Sequence, residues 1–194
     1  MENKDDIDID IVVELNQDKN AITFAKHLSD ILNCKLITHE KYGTAKLKLP
    51  FGNIDIATSR IEFYEFSASS PKVDFSTIKQ DLYRRDFTIN ALAISLNSNN
   101  FGQILDFFNG YDDIQNKKIR ILHNFSFVDD PNRIFRAVRF SRKLNFEIEE
   151  ETKKIAINTM NLGRFDCFIN DRIKNELKLI LSNKYDPISN IKTT

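Results

Sequence analysis

The spacing of apolar and polar residues changes along the chain. In about the first two thirds, short runs with a period of two predict β-strands at 7–13, 45–49, 53–58 and 91–96. Helical periodicity predicts two helices between these strands, at 18–32 and 86–92. From about residue 128 the helical period takes over and predicts helices at 130–144, 149–160 and 170–182. The pattern indicates an α/β or α+β domain followed by an all-helical region.

Composition narrows the class of protein only slightly. The 194 residues include 28 basic and 28 acidic ones, so nucleic-acid binding would depend on local clusters of Lys and Arg. No apolar run approaches the roughly 18 residues of a membrane span, and the N-terminal segment is polar. Cys34 and Cys167 lack the spacing of a metal site. We therefore expect a soluble, cytoplasmic protein with no membrane partner.

An acidic strand carries the first candidate chemistry. Residues 6–13 read DIDIDIVV, so a strand places the isoleucines on one face and the aspartates on the other, namely Asp6, Asp8 and Asp10. Carboxylates two residues apart on a strand lie about 6 to 7 Å apart and repel unless water or a shared cation separates them. Asp55 lies between apolar residues of the strand predicted at 53–58. A pair of carboxylates on the first strand, with Asp55 as a third ligand on a neighbouring strand, favours a two-metal site with Mg²⁺. Such a site serves nucleotidyl transfer or phosphodiester hydrolysis, and an exposed acidic edge strand is the alternative.

The segment RRDFTINALA, at 84–93, resembles the signature of class II tRNA nucleotidyltransferases (CCA-adding enzymes) and bacterial poly(A) polymerases. Further blocks resemble this family in the same order: DIDIVVE at 8–14, KYGTAKL at 41–47, IDIATSRIEFYE at 54–65, ILDFFNGYDDIQNKKIRILH at 104–123 and DDPNRIFRAVRFSRKLNF at 129–146. The resemblance implies an α+β fold. It consists of a nucleotidyltransferase head of the polymerase β type with a mixed sheet, at 1–125, followed by an all-α neck that binds RNA, at 126–194.

The resemblance also implies roles for the acidic strand and for the RRD segment. Asp8 and Asp10 match the catalytic pair that binds the metal, Asp55 matches the third catalytic carboxylate, and Asp6 is a bystander. The nucleotide-binding residues of the RRD segment are Arg84 and Arg85 near the triphosphate, Asp86 near the ribose, and Asn90 beside them. Forked Arg donors suit phosphate oxygens, and a carboxylate suits a ribose hydroxyl.

A second group of residues is implied to read the incoming base in place of a template. It matches the family's EDxxR-type motif and consists of Asp129, Asp130 and Arg133, with Arg136 orienting them. On a helix, residues at i and i+3 are neighbours, so that an acceptor and a forked donor face one base. Arg139 and Arg142 are interpreted as salt bridges of the neck or as solvated charges. Arg172 and Glu176, in NDRIKNELKLIL at 170–181, resemble a neck-helix pattern of the family and are interpreted as structural.

By this resemblance the chain is an enzyme that transfers CMP and/or AMP from CTP and ATP to the 3′ end of tRNA, with Mg²⁺ and without a template. The alternatives are a poly(A) polymerase with the same residues, and an inactive truncated or split form that binds nucleotide, RNA or a partner chain. The family's GGxVRD-like segment does not precede Asp8, and no body or tail domain follows the predicted helices. We therefore expect a head and a neck that are truncated at both ends, with the activity of the isolated chain left open.

Overall fold

Two units make up the described part of the chain. The structure, a computed structural model, describes residues 7–14, 20–63, 72–161 and 171–182. Within these ranges, the first unit contains the residues up to 63 together with 72–84, and the second contains those from 85 onward. Asp6 and Cys167 lie outside the described residues. The head and neck boundary at 125/126 stays a prediction.

A mixed sheet forms the centre of the first unit. Its elements are β1 (Ile7–Val13), α1 (Ala21–Leu32), β2 (Lys35–His39), β3 (Thr44–Leu49), β4 (Gly52–Thr58), β5 (Arg60–Phe63), β6 (Lys72–Phe75) and α2 (Ile78–Tyr83). The sheet has the order β1-β4-β3-β2, with β1 parallel to β4 and the other neighbours antiparallel. β5 and β6 form a separate antiparallel pair. The sequence predicted β1, β3, β4 and α1, and it missed β2, β5, β6 and α2.

Helix α1 packs on one face of this sheet. Its start is fixed by Asn20, whose side chain accepts hydrogen bonds from the backbone N–H groups of Ile22 and Thr23. The core between helix and sheet consists of Ala21 and Ala25 of α1 and of buried residues that alternate along β3 and β4, namely Ala45, Leu47, Ile54 and Ile56. Because successive strand residues point to opposite faces, the residues between them project from the face away from α1.

Gly52 allows β1 and β4 to approach each other. Its φ is 148°, and a Cβ built there would overlap the backbone carbonyl oxygen of Ile7. We expect Gly52→Ala to lower the free energy of unfolding by about 2 kcal/mol, because the β1–β4 pairing must shift. Urea unfolding followed by circular dichroism measures this change.

Gly102→Ala is the matched control for this prediction. Gly102 also has a positive φ, of 81°, but a Cβ there would meet nothing within 4 Å. The Gly102 substitution therefore introduces backbone strain without an overlap. If the two substitutions destabilise the protein equally, the close approach of the two strands is not the cause.

The second unit combines short strands with helices. Its elements are β7 (Leu92–Ile94), β8 (Ile104–Asp106), α3 (Gly110–Gln115), β9 (Lys118–Ile119), α4 (Ser126–Asp129), α5 (Asn132–Leu144), β10 (Glu147–Ile148), α6 (Glu150–Asn161) and α7 (Asp171–Leu181). Its core is built around the fully buried rings of Phe87 and Phe127, with Ile119 and Ile134. The α+β fold with a mixed sheet and a helical C-terminal region is confirmed. A two-residue parallel pair, β9 with β10, lies beside these helices.

The predicted helix at 86–92 is wrong. Phe87 forms an isolated antiparallel bridge with Ile121, and only the 3₁₀ turn Thr88–Asn90 is helical. The Asp86 carboxylate accepts hydrogen bonds from the Phe87 N–H and from the Asn90 side chain, both at 2.9 Å. Such local bonds compete with an α-helix. The predicted strand at 91–96 is also shorter than expected and is confined to β7.

The predicted C-terminal helices agree more closely. The helices predicted at 149–160 and 170–182 correspond to α6 and α7 within one residue at each end. The helix predicted at 130–144 starts two residues later, as α5. Among the helices that the structure describes, none is both long enough and apolar enough to cross a membrane.

Candidate active site

The face of the first unit's sheet that α1 leaves uncovered carries the acidic residues of β1 and β4. In the parallel register Asp8 lies opposite Asn53 and Asp10 lies opposite Asp55, so these four side chains project from the same face. The Asn53 side-chain amide donates to Asp8 Oδ1 at 3.2 Å. Asp8 and Asp10 are both exposed. The structure therefore brings the three predicted catalytic carboxylates to adjacent strands.

Lys46 is a cation on the same face. It lies opposite Asp55 in the β3–β4 register, and its Nζ is 3.0 Å from Asp55 Oδ2. The hydrogen bond to Asp55, with the attraction of the carboxylates of Asp55, Asp8 and Asp10, raises the pKa of Lys46 above its ordinary value. Lys46 is therefore charged at neutral pH and partly compensates the carboxylates.

The donor types on this face fit a divalent cation. Carboxylate oxygens are the ligands that hard cations such as Mg²⁺ prefer, and Asp8 and Asp10 are exposed enough to accept one. In the described ranges, no three acidic, His or Cys side chains are gathered closely enough to hold one ion together. Asp55 is instead directed to Lys46. Asp8 and Asp10 thus fit a divalent cation, whereas Asp55 forms an ion pair with Lys46.

The predicted triphosphate arginines lie on either side of the boundary between the units. Arg84, at the end of α2, donates from Nε and Nη2 to Asp81 Oδ1 at 3.1 and 2.9 Å. Asp81 is 1% exposed and also accepts from the Arg60 N–H. Arg85, in the second unit, contacts the Asn90 carbonyl at 3.4 Å through Nη1. Asp81 therefore fixes the guanidinium of Arg84, a role that the sequence did not indicate.

Asp86 is buried and highly coordinated within the second unit. Beyond its two local hydrogen bonds, its Oδ2 accepts from Arg136 Nε at 2.8 Å and from Arg136 Nη2 at 2.6 Å. A carboxylate has about four acceptor sites, and four donors use them here. A ribose hydroxyl can therefore bind Asp86 only if one of these donors releases it. Arg136 was expected to orient the base-reading pair, but its shortest described hydrogen bonds join it to Asp86.

Glu176 extends this cluster from α7. It is 8% exposed and accepts from Arg139 Nε at 2.6 Å and from Arg136 Nη1 at 3.4 Å. Both guanidinium groups also lie over the Phe140 ring, that of Arg136 at 5.3 Å and that of Arg139 at 4.5 Å from its centroid. Burial disfavours the charged Arg136, but Asp86 and Glu176 outweigh it and raise the pKa of Arg136. Of the two interpretations of Arg139, a salt bridge or a solvated charge, the structure shows the salt bridge, with Glu176.

The predicted base-reading pair does not share one helix. Asp130 is extended, with φ −139° and ψ 94°, and α5 starts only at Asn132. The expected i, i+3 helical arrangement is therefore wrong, because Pro131 disfavours the helical conformation for the residue before it. Asp130 Oδ1 accepts from the Asn132 N–H at 3.1 Å, and its Oδ2 accepts from Arg172 Nη2 at 2.7 Å.

Arg133 and Asp129 each have a described side-chain partner. Arg133 is 6% exposed, and its Nη1 donates to Ser126 Oγ at 2.8 Å. Asp129 Oδ2 is 3.9 Å from His123 Nε2. Burial lowers the pKa of His123, although Asp129 opposes this change. The described side-chain partners of Asp130, Arg133 and Asp129 thus include Arg172, Ser126 and His123, respectively.

The profile of one protein family, described as the Poly A polymerase head domain, matches residues 1–120. The chain belongs to this family. One curated relative and two solved structures agree with this result. The chain is 43% identical over 185 residues to the A-adding tRNA nucleotidyltransferase of Geobacter sulfurreducens. This alignment covers 95% of this chain and 20% of that protein.

Two solved structures also resemble this member of the Poly A polymerase head family. A CCA-adding enzyme in apo form II has a TM-score of 0.85 and 48% identity, over 93% of this chain and 42% of that one. The Thermotoga maritima CCA-adding enzyme complexed with tRNA has a TM-score of 0.77 and 45% identity, over 93% of this chain and 39% of that one. The resemblance to class II tRNA nucleotidyltransferases and poly(A) polymerases is confirmed. The chain spans about a fifth to two fifths of these relatives.

Several contacts of the candidate site residues were not predictable from the sequence. The family-like pattern NDRIKNEL at 170–177 marked Arg172 and Glu176, but only as structural residues. The structure shows that they contact Asp130 and Arg136, which were predicted to bind nucleotide. Ser126 and Asp81 had no recognisable signal, because single Ser and Asp residues in a helix or turn carry no pattern.

Proposed function

We propose that this chain transfers nucleotides from nucleoside triphosphates to the 3′ end of tRNA without a nucleic-acid template, with CMP and/or AMP as the transferred group. The observation that supports this most strongly is the register of β1 with β4, which puts Asp8, Asp10 and Asp55 on one face. Its similar proteins are described as A-adding and CCA-adding enzymes, which supports tRNA as the acceptor. These relatives differ in the nucleotide that they add, so the proposal includes both CMP and AMP.

Asp8 and Asp10 are the residues that we assign to hold a divalent cation, with Asp55 as the third carboxylate. Nucleotidyltransferases of this family are metal-dependent, and we propose Mg²⁺ as the cation. When bound, such a cation makes the attacking 3′-hydroxyl more acidic and neutralises the leaving pyrophosphate. The exposure of Asp8 and Asp10 leaves their oxygens accessible to this ligand.

The arginines of the RRD segment are assigned to the triphosphate. Arg84 is held by Asp81 through Nε and Nη2, so the position of its guanidinium is fixed before nucleotide binds. A positioned fork of donors loses little conformational freedom when it binds a phosphate. Asp86 and Asn90 are assigned to the ribose, with the condition that Arg136 yields one of its bonds to Asp86.

Asp130 and Arg133, together with Asp129, are assigned to the edge of the base. A carboxylate accepts from the amino group of cytosine or adenine, and a guanidinium donates to ring or carbonyl acceptors. Arg172 and Ser126 hold Asp130 and Arg133 in place before the base arrives. This rigidity supports selection, because a base with the wrong pattern leaves buried polar groups unpaired.

The test is a transfer assay with the purified chain, labelled ATP or CTP, and Mg²⁺. One acceptor is a tRNA that lacks its last three nucleotides, and the other is a tRNA that lacks only the terminal A. We expect one to three added nucleotides and no addition by Asp8→Ala. Absence of incorporation by wild type and Asp8→Ala alike would overturn the proposal, and long adenylate products would identify a poly(A) polymerase instead.

A further inference from the structure

Lys46 has a position that the proposed nucleotide transfer does not explain. It is the residue of β3 that faces Asp55, and Asp55 faces Asp10 on the other side of β4. Across the sheet the row therefore reads carboxylate, carboxylate, ammonium. Its Nζ is 3.0 Å from Asp55 Oδ2, and about two fifths of each side chain is exposed.

This row places a fixed positive charge next to the proposed cation site. Neighbouring strands are about 4.8 Å apart, so an ion held by Asp10 and Asp55 would lie within roughly 6 Å of the Lys46 ammonium. A divalent cation and an ammonium group at such a distance repel appreciably even in water. The ammonium group also binds Asp55 Oδ2, one of the two oxygens with which this carboxylate could bind the cation.

We propose that Lys46 is an internal counter-ion of the carboxylate face, which competes with the divalent cation for Asp55 and thereby weakens cation binding. This inference rests on the proposed function of Asp8, Asp10 and Asp55. Without a cation, Lys46 holds Asp55 and reduces the repulsion among the carboxylates. With a cation bound, Lys46 releases Asp55 and becomes a positive charge beside the site. Lys46 is thus a positioning residue that acts through Asp55.

Lys48 provides a matched control on the same strand and the same face. It lies opposite Asn53, a neutral side chain, and not opposite a carboxylate. Lys46→Met and Lys48→Met remove the same charge and keep a similar side-chain length. General loss of positive charge from the face therefore affects both variants, whereas competition for Asp55 affects only Lys46→Met.

The experiment measures Mn²⁺ binding by the full chain from the electron paramagnetic resonance signal of the free ion. We expect Lys46→Met to bind Mn²⁺ about five- to tenfold more tightly than wild type. Lys48→Met should change the affinity less than about twofold, and Lys46→Arg should resemble wild type because it keeps the charge. Thermal unfolding of each variant verifies that the fold is retained.

A double substitution tests whether the effect passes through Asp55. In an Asp55→Asn background, adding Lys46→Met should tighten Mn²⁺ binding less than it does in wild type, since competition for Asp55 is gone and only the repulsion between Lys46 and the cation remains. A tightening in that background as large as in wild type would contradict competition at Asp55.

The possible failures of this inference and of the proposed function are distinguishable. Unchanged or weaker Mn²⁺ binding by Lys46→Met overturns the inference, and so does equal tightening by Lys48→Met. If the transfer assay succeeds at the same time, only the inference fails. If Mn²⁺ binding does not depend on Asp8 in any variant and no nucleotide is transferred, both fail.

Discussion

Replacing Asp10 by Asn is expected to lower the rate of nucleotide transfer by about a thousandfold or more. Asp10 lies opposite Asp55 and two residues from Asp8, so the substitution removes one of the three negative charges on adjacent strands. The side chain is exposed, and its like-charged neighbours gain from its neutralisation. We therefore expect the midpoint of thermal unfolding to stay within about 2 °C of wild type. Single-turnover transfer of labelled nucleotide to tRNA measures the rate.

Asp30→Asn is the control for this prediction. Asp30 is an exposed aspartate on α1 in the same unit, away from the acidic face. The same change of charge there should leave the rate within about twofold of wild type. A comparable loss of rate in both variants, or a loss below about tenfold in Asp10→Asn, would remove Asp10 from the catalytic set.

The first strand and its chemistry were predictable from the sequence because they depend on short-range patterns. The alternation in DIDIDIVV fixes which side chains share a face, whatever the neighbouring strand is. The same reasoning placed Asp55 on a second strand. It did not give the register that puts Asp55 opposite Lys46, because this depends on the turn that joins β3 to β4 before Gly52.

Around Asp130 the sequence contains two conflicting signals, a helical period and a proline. Helical periodicity from residue 130 onward predicted one helix, but Pro131 disfavours a helical Asp130. The partners of Asp130 and Arg136 could not be predicted in this way. Arg172 and Glu176 reach them from about 40 residues further along the chain, and no local period encodes which helix faces are joined.

These long-range contacts connect the folding of the second unit to its proposed chemistry. The same arginine, Arg136, binds Asp86, which is assigned to the ribose, and Glu176, which comes from α7. Any change that leaves Arg136 without Glu176 therefore alters the surroundings of Asp86 as well. Glu176 accordingly has a role in stability that can be measured without any substrate.

We expect Glu176→Gln to lower the free energy of unfolding by about 3 kcal/mol. Gln has a similar size and helix propensity, so the substitution mainly removes the negative charge. Arg139 then loses its carboxylate partner, now 2.6 Å away, and Asp86 is the described carboxylate that Arg136 keeps. Urea unfolding followed by circular dichroism at 222 nm measures the change.

The control is Glu151→Gln on α6, whose partner Lys154 is 3.4 Å away with both side chains more than 60% exposed. This variant should lose less than about 0.5 kcal/mol, because exposed ion pairs contribute little. Equal losses for the two variants would show that the Glu176 cluster does not stabilise the second unit.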